Sequence, residues 1–316
     1  MKALVTGASG FIGSHVVRAL ADSGAQVRAF DRRAPADLPP GTEFAPGDLL
    51  DRDALARALD GCDAVFHLAA LYSYARADAV AMERVNVEGT RVLIEAAHGR
   101  RIVHTSSCAT CGPVAGRDAT EQDQPAAWEL RVPYKRTKLA GERLALAAAA
   151  GGADIVVVNP TTPVGPGDLR PTPTGKMIAD VAHGRARAYL AGGALNVVAV
   201  EDVARGHLLA FEHGRAGQRY LLGGENLTMR AVFDAICAGV GRRSPVVGVP
   251  WTAAYGAAWL ASRIVREPRL LVLDEVRVAR WPMRFDDSLA RAELGHVSRP
   301  APAALAQAAR AALSTP

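Results

Sequence analysis

The chain has few cysteines, no long apolar run and no block of like charge. Cys62, Cys108, Cys111 and Cys237 are its only cysteines in 316 residues, too few for a disulfide scaffold. No stretch approaches the roughly 18 consecutive apolar residues that a membrane span needs. The first residues enter a strand directly, without the basic region, apolar core and cleavage site of a signal peptide, so a cytoplasmic location is expected. The net charge is +5, but the arginines are dispersed, which argues against a nucleic-acid-binding arm. The mild positive balance suits an anionic cofactor or substrate, and an Ala- and Arg-rich composition explains it equally well. There is no internal repeat. A length of 316 residues suits one large domain with a smaller lobe.

What is present is patterned. Lys2-Ala3-Leu4-Val5-Thr6 reads as a short buried strand, and Gly7-Ala8-Ser9-Gly10-Phe11-Ile12-Gly13 follows at once. A helix is predicted from about 13 to 23, with Val16, Val17 and Leu20 as its apolar stripe. Strand, glycine turn and helix together form the context of a dinucleotide site: glycine lets the backbone approach a pyrophosphate, and the helix start offers free N–H groups. Further strands are predicted at 25–30, 43–45, 64–68, 101–105, 154–158, 196–200 and 219–222, separated by helices at 51–59, 80–98, 134–150 and 201–211. This alternation predicts an α/β fold, a doubly wound parallel sheet of the Rossmann type, with ligands at the carboxyl ends of its strands. Asp31, Asp48, His67, Ser107 and Asn159 fall at such ends. Residues 160–175 are dense in Gly and Pro and read as an irregular, substrate-facing loop. Residues 251–265 are apolar on several faces, a pattern that core packing or a hydrophobic substrate would explain.

Tyr134 and Lys138 stand four residues apart, which puts them on one helical face, offset by roughly 6 Å. An ammonium beside a phenol favours phenolate and would lower the tyrosine pKa toward neutrality, making it an acid/base for an alcohol or a carbonyl. Cys108-Ala109-Thr110-Cys111 is a C-x-x-C match, but no second cysteine pair or histidine cluster accompanies it, so pocket lining is expected rather than zinc or redox chemistry.

With its Gly-x-x-Gly-x-x-Gly turn, Tyr-x-x-x-Lys pair and upstream serine, the chain resembles the extended short-chain dehydrogenase/reductases over nearly its whole length. Three segments resemble the dihydroflavonol-reductase-like proteins called hopanoid-associated sugar epimerases: Asn159-Pro160-Thr161-Thr162-Pro163-Val164-Gly165-Pro166, then Arg170 to Lys176, then Leu222 to Thr228. The resemblance implies a dinucleotide domain over 1–160, to which 191–222 returns, and a mostly helical substrate lobe from 161–190 and 223–316. It implies a catalytic set of Ser107, Tyr134 and Lys138, with Ser106 as the rival of Ser107 by register. The cofactor would be held by Gly7, Ser9, Gly10, Phe11, Ile12 and Gly13, by Asp48 and Leu49, by Leu68, Ala69 and Ala70, by Lys138, and by Pro160, Thr161 and Thr162. Asn86 would order the helix and strand beside the site.

Asp31 at the end of the second strand would accept ribose hydroxyls and so favour NAD. Arg32 and Arg33 could instead receive a 2′-phosphate, which keeps NADP open; the family commonly has an apolar residue where Asp31 stands. Tyr72, Cys108, Thr110, Pro163, Arg170, Lys176 and Asn196 are candidate contacts to a small-molecule substrate, sugar-like or polycyclic and lipid-linked. The resemblance admits net redox at a secondary alcohol or carbonyl, or epimerisation or dehydration with NAD retained. A non-catalytic dinucleotide sensor is the third reading, although such relatives lose the Tyr/Lys pair. It also admits a homodimer, since helices like those at 80–98 and 134–150 often pair between subunits.

Overall fold

The structure is a computed structural model that describes residues 1–169, 172–245, 247–264 and 273–314. In chain order its first half comprises β1 (Lys2–Thr6), α1 (Phe11–Asp22), β2 (Gln26–Asp31), β3 (Glu43–Pro46), α2 (Arg52–Leu59), β4 (Ala64–His67), α3 (Ala79–Glu83), α4 (Gly89–Ala96), β5 (Arg101–Thr105), α5 (Pro133–Ala150) and β6 (Ile155–Pro160). The second half comprises β7 (Thr162–Val164), α6 (Pro173–Ala182), β8 (Ala188–Ala191), β9 (Ala194–Ala199), α7 (Val200–His213), β10 (Arg219–Leu222), β11 (Glu225–Thr228), α8 (Met229–Gly239), β12 (Val247–Pro250), α9 (Trp251–Ile264), α10 (Leu273–Val278), α11 (Ser288–Leu294) and α12 (Ala301–Ser314).

Seven strands form one parallel sheet in the order β3-β2-β1-β4-β5-β6-β10. The chain leaves β1 in one direction and re-enters beside it in the other, so the crevice between β1 and β4 is the topological switch point. The central strands are buried along nearly their whole length because helices cover both faces. Val16, Val17 and Leu20 of α1 and Val203 and Ala204 of α7 pack on one face. Leu55 and Leu59 of α2, Val92 and Leu93 of α4, and Ala145 of α5 pack on the other.

A second core lies under α6, α8 and α12, around Ile178, Val197, Phe233, Ile236 and Leu305. It rests on a three-stranded sheet, β11-β9-β7. Thr162–Val164 is therefore a strand, paired with β9, although the Gly- and Pro-rich stretch that contains it reads as irregular. Proline is tolerated there because β7 is an edge strand. The helix predicted over 80–98 is α3 and α4 joined by a π-helical turn, Arg84–Glu88. The expectation of core packing at 251–265 fails: Ala258 is the one buried residue of α9, and Val265 lies outside the described residues.

Candidate active site

β1 ends at Thr6, and Gly7 turns the chain at φ 71°, in the left-handed region that glycine adopts without strain. A Cβ on Gly7 would stand 2.6 Å from the Ala69 nitrogen, and one on Gly13 would stand 2.1 Å from the Gly7 oxygen. Both contacts forbid any side chain. The turn is thereby held against the end of β4, where Ala69 N donates to Thr6 Oγ1 at 3.3 Å. Gly10 is the cap of α1 and offers no capping side chain. The first N–H groups of this helix thus face the switch-point crevice, with Leu68, Ala69 and Ala70 on its far side. Phe11 and Pro163 share the wall of a cavity of about 200 Å³ with Asp168 and Ile178.

Asp31 closes β2 and faces the turn. Its Oδ2 accepts from Ser9 N at 3.0 Å and from Ser9 Oγ at 2.8 Å, and its Oδ1 accepts from Arg32 N at 2.7 Å. Asp48 Oδ1 accepts from Leu50 N at 3.0 Å, and Leu49 is buried against Gly89. A side-chain-free helix start, a carboxylate at the end of β2 and small residues at the end of β4 fit the diphosphate, ribose and backbone contacts of a dinucleotide.

Ser107 follows β5; its hydroxyl accepts from Ala109 N at 3.2 Å and lies close enough to the Tyr134 phenol to favour its ionised form. Its rival Ser106 is buried, with a hydroxyl that has no partner. Tyr134 and Lys138 lie in the first turns of α5, which Pro133 starts. Lys138 Nζ donates to Thr105 O at 2.8 Å. Burial drives the Lys138 ammonium down to about 8, against the raising effect of Glu142. The Tyr134 phenol differs from the sequence expectation: burial pushes it up to about 12, and the nearby Ser107 hydroxyl only partly offsets this. Loss of hydration therefore sets the direction of the shift, and Lys138 is not among the groups that offset it.

Tyr72 and Tyr74, from the loop after β4, pack over Tyr134 with ring centroids at 4.3 and 6.1 Å. The π-helical turn places Asn86 under this loop. Asn86 Oδ1 accepts from Leu71 N at 2.7 Å, and Nδ2 donates to Leu71 O at 3.0 Å and to Thr137 Oγ1 at 3.1 Å. His67 is a buried neutral histidine, with Nδ1 2.8 Å from Thr6 Oγ1 and Nε2 3.2 Å from Thr90 Oγ1. Burial takes it down to about 3.

Two predicted substrate contacts, Thr110 and Asn196, are taken up inside the protein. Thr110 is fully buried, and its hydroxyl lies 2.7 Å from Glu142 Oε2. Asn196 is fully buried too; it bonds Asn226, Gly224 and Phe285 and ties the second sheet to the loop before α11. Both are spoken for by the protein itself. Lys176 is exposed and pairs with Asp180 at 3.2 Å. Cys108 is buried with Sγ 3.5 Å from Thr161 O, and burial pushes its thiol up to about 12, which leaves it inert. Arg170 lies outside the described residues.

Glu142 was not anticipated. It sits one turn after Lys138 and is fully buried. Its Oε1 accepts from Arg219 Nη1 at 2.8 Å, and its Oε2 accepts from Asn159 Nδ2 at 2.6 Å. The i, i+4 spacing from Lys138 was visible, but the arginine that completes the pair comes from β10.

A family model described as the NAD dependent epimerase/dehydratase family matches residues 3–223. Over 321 residues the chain is 36% identical to sterol demethylase protein B of Methylococcus capsulatus, covering 98% of this chain and 97% of the relative. It is 33% identical to the 2-alkyl-3-oxoalkanoate reductase of Stenotrophomonas maltophilia, covering 94% of each. The crystal structure of gox2253 superposes with a TM-score of 0.85 at 38% identity, covering 98% of this chain and 97% of that one. The seven-stranded parallel sheet, the glycine turn at its switch point and these matches agree: the chain belongs to the NAD dependent epimerase/dehydratase family and is an enzyme of it.

Proposed function

We propose that the chain is an NAD(P)-dependent oxidoreductase of the extended short-chain dehydrogenase/reductase type, acting at a secondary alcohol or carbonyl on an apolar skeleton. The observation that carries this reading is the meeting of three groups at the carboxyl end of β5: Ser107 just past the strand, Tyr134 in the first turn of α5, and Lys138, whose Nζ donates to Thr105 O of the strand at 2.8 Å. The dinucleotide, when bound, supplies or takes the hydride. The Tyr134 hydroxyl gives its proton to the substrate oxygen in reduction and recovers it in oxidation. The Ser107 hydroxyl donates to the same oxygen as negative charge develops. The Lys138 ammonium, near Tyr134, favours the phenolate form in the transition state and so offsets the burial that holds Tyr134 protonated. Asp31 favours NAD, because a 2′-phosphate would meet its carboxylate.

An apolar substrate is supported by the aromatic cover of Tyr72 and Tyr74 and by the two relatives above, named for a sterol and for a 2-alkyl-3-oxoalkanoate. The test presents reduced nicotinamide with ketones of both kinds and follows nicotinamide absorbance. Net oxidation is expected, with a loss of about 10²- to 10⁴-fold in Tyr134→Phe at nearly unchanged cofactor affinity. An enzyme that retains NAD through purification and isomerises or dehydrates a sugar with no net absorbance change would refute the redox reading. A Tyr134→Phe variant at the wild-type rate would remove the acid/base assignment.

A further inference from the structure

α9 buries only Ala258 along its whole length. Its sequence, Trp251-Thr-Ala-Ala-Tyr-Gly-Ala-Ala-Trp-Leu-Ala-Ser-Arg-Ile264, contains one basic residue and no acidic one. Trp259 is 43% exposed, Leu260 54% and Ile264 74%. Leu260 and Ile264 share one helical row, and Tyr255, Trp259 and Arg263 form the row beside it. The helix is nonetheless anchored on its inner side. Trp251 stacks on Tyr255 at 4.9 Å, and its Nε1 donates to Val276 O of α10 at 2.7 Å. A fixed helix with such an outer face has something to cover it.

Cations surround this face. The Arg263 guanidinium lies 4.5 Å from the Trp259 ring centroid, and Arg280 lies 5.6 Å from that of Trp251. Arg187, Arg242 and Arg243 line a hollow of about 440 Å³ that has no acidic residue in its wall. Val247, 55% exposed, belongs to the same wall and opens β12, which runs directly into α9.

We propose that α9, together with Arg187, Arg242, Arg243 and Arg263, docks this protein on the surface of an anionic phospholipid bilayer. Charge decides the occupant. A second copy related by a two-fold axis would bring this face against itself, with arginines and no carboxylate on α9 to meet them. Lipid phosphates complement the arginines, and Trp259, Leu260 and Ile264 enter the headgroup and acyl boundary as an interfacial helix does. The helix lies along the surface; no helix among the described residues is long and apolar enough to cross a membrane. The docking face is also coupled to the active-site mouth. α10, bonded to Trp251, is tied through Asp274 to Arg76 at 3.0 Å, in the loop whose Tyr72 and Tyr74 cover Tyr134. An apolar substrate dissolved in the bilayer would reach the site from this side. The docking does not depend on which reaction Tyr134 performs.

The test is co-sedimentation of the purified chain with vesicles of phosphatidylcholine alone and of phosphatidylcholine with phosphatidylglycerol, at low and high salt. An arginine near an anionic surface contributes about fivefold to partitioning. Arg242→Gln with Arg243→Gln should therefore cost about thirtyfold on anionic vesicles. Leu260→Glu with Ile264→Glu should abolish binding; both side chains are exposed, and retained circular dichroism and thermal unfolding check that the fold survives. High salt should release the wild type. Three results each overturn the proposal: a wild type left in the supernatant with anionic vesicles, a Leu260→Glu/Ile264→Glu variant that pellets like the wild type, or a dimer in free solution that this variant converts to monomer.

Discussion

Glu142→Gln keeps the shape of a buried side chain and removes its charge. Oε1 faces Arg219 Nη1, and Oε2 faces both Asn159 Nδ2 and Thr110 Oγ1. A carboxylate accepts on both sides. An amide must point its NH₂ either at Arg219 or at Asn159, and both of those groups donate. Arg219 is 13% exposed at its side chain and Glu142 1%, so the stranded guanidinium regains little hydration. Removing one partner of a buried pair costs about 3–5 kcal/mol, and the hydrogen bond that the amide keeps puts this case near the lower end, about 3 kcal/mol. For a chain of this length that is about 4–5 °C in Tm. Glu142 also raises Lys138, so in the variant the Lys138 ammonium should titrate lower than about 8.

Two assays read these effects. Thermal unfolding of Glu142→Gln, Arg219→Met and the double variant gives a coupling energy, expected to exceed about 1 kcal/mol because the double variant leaves neither a buried guanidinium nor a buried carboxylate without its partner. Cofactor affinity against pH gives the Lys138 midpoint, expected to move down. A Glu142→Gln variant as stable as the wild type, with an unmoved midpoint, would refute the reasoning on both counts.

Lys138→Met tests the buried ammonium directly. Lys138 titrates near 8 in the fold against 10.5 in the unfolded chain, so between these pH values the unfolded state binds the extra proton. The cofactor-free wild type should therefore gain stability relative to Lys138→Met as pH rises through that window, by up to about 3 kcal/mol, and show a constant difference below it; a flat difference throughout denies the shift. Asp31→Ser should weaken NAD by about tenfold or more, through lost charged hydrogen bonds, and improve NADP through Arg32 and Arg33; an unimproved KM for NADP denies the role. Asn86→Ala leaves the N–H and C=O of Leu71 without their side-chain partner, at about 1–3 kcal/mol in stability. It should raise KM for substrate more than for cofactor, because it loosens the Tyr72–Tyr74 loop; equal effects on both would place Asn86 elsewhere in the mechanism.

What could be read in the chain was local. The glycine turn was legible because β1, the turn and α1 are contiguous, and the steric reasons for Gly7 and Gly13 lie within a few residues or at the next strand end. The Tyr134–Lys138 pair was legible because helical spacing alone puts the two on one face. The partners that complete the site were not legible, since they arrive across the sheet: Arg219 is 77 residues from Glu142, and Asn159 is 17. Thr110 and Asn196 were misplaced for the same reason. Their neighbours in sequence suit a pocket wall, and their hydrogen bonds, made with Glu142 and with Asn226 and Phe285, could only be seen once the strands were paired.

The pKa of Tyr134 separates proximity from effect. Helical spacing brings a lysine beside the tyrosine, and the expectation of an acidified phenol followed from that charge alone. The fold buries both groups together. Burial costs the ammonium its proton near pH 8 and holds the phenol's proton to about 12, so the two shifts oppose the catalytic use of the pair. Glu142 supports the ammonium, and the Ser107 hydroxyl supports the phenolate. Glu142 is one turn from Lys138 and Ser107 lies beside Tyr134, and neither charge state is sustained by the Tyr/Lys pair alone. On the proposed mechanism the working unit is therefore four residues, Ser107, Tyr134, Lys138 and Glu142, with Arg219 holding the last in place. A substitution at Arg219, a side chain that hydrogen-bonds neither Tyr134 nor Lys138, should accordingly shift the pH dependence of cofactor binding in the same direction as Glu142→Gln, by releasing the carboxylate that it holds beside Lys138.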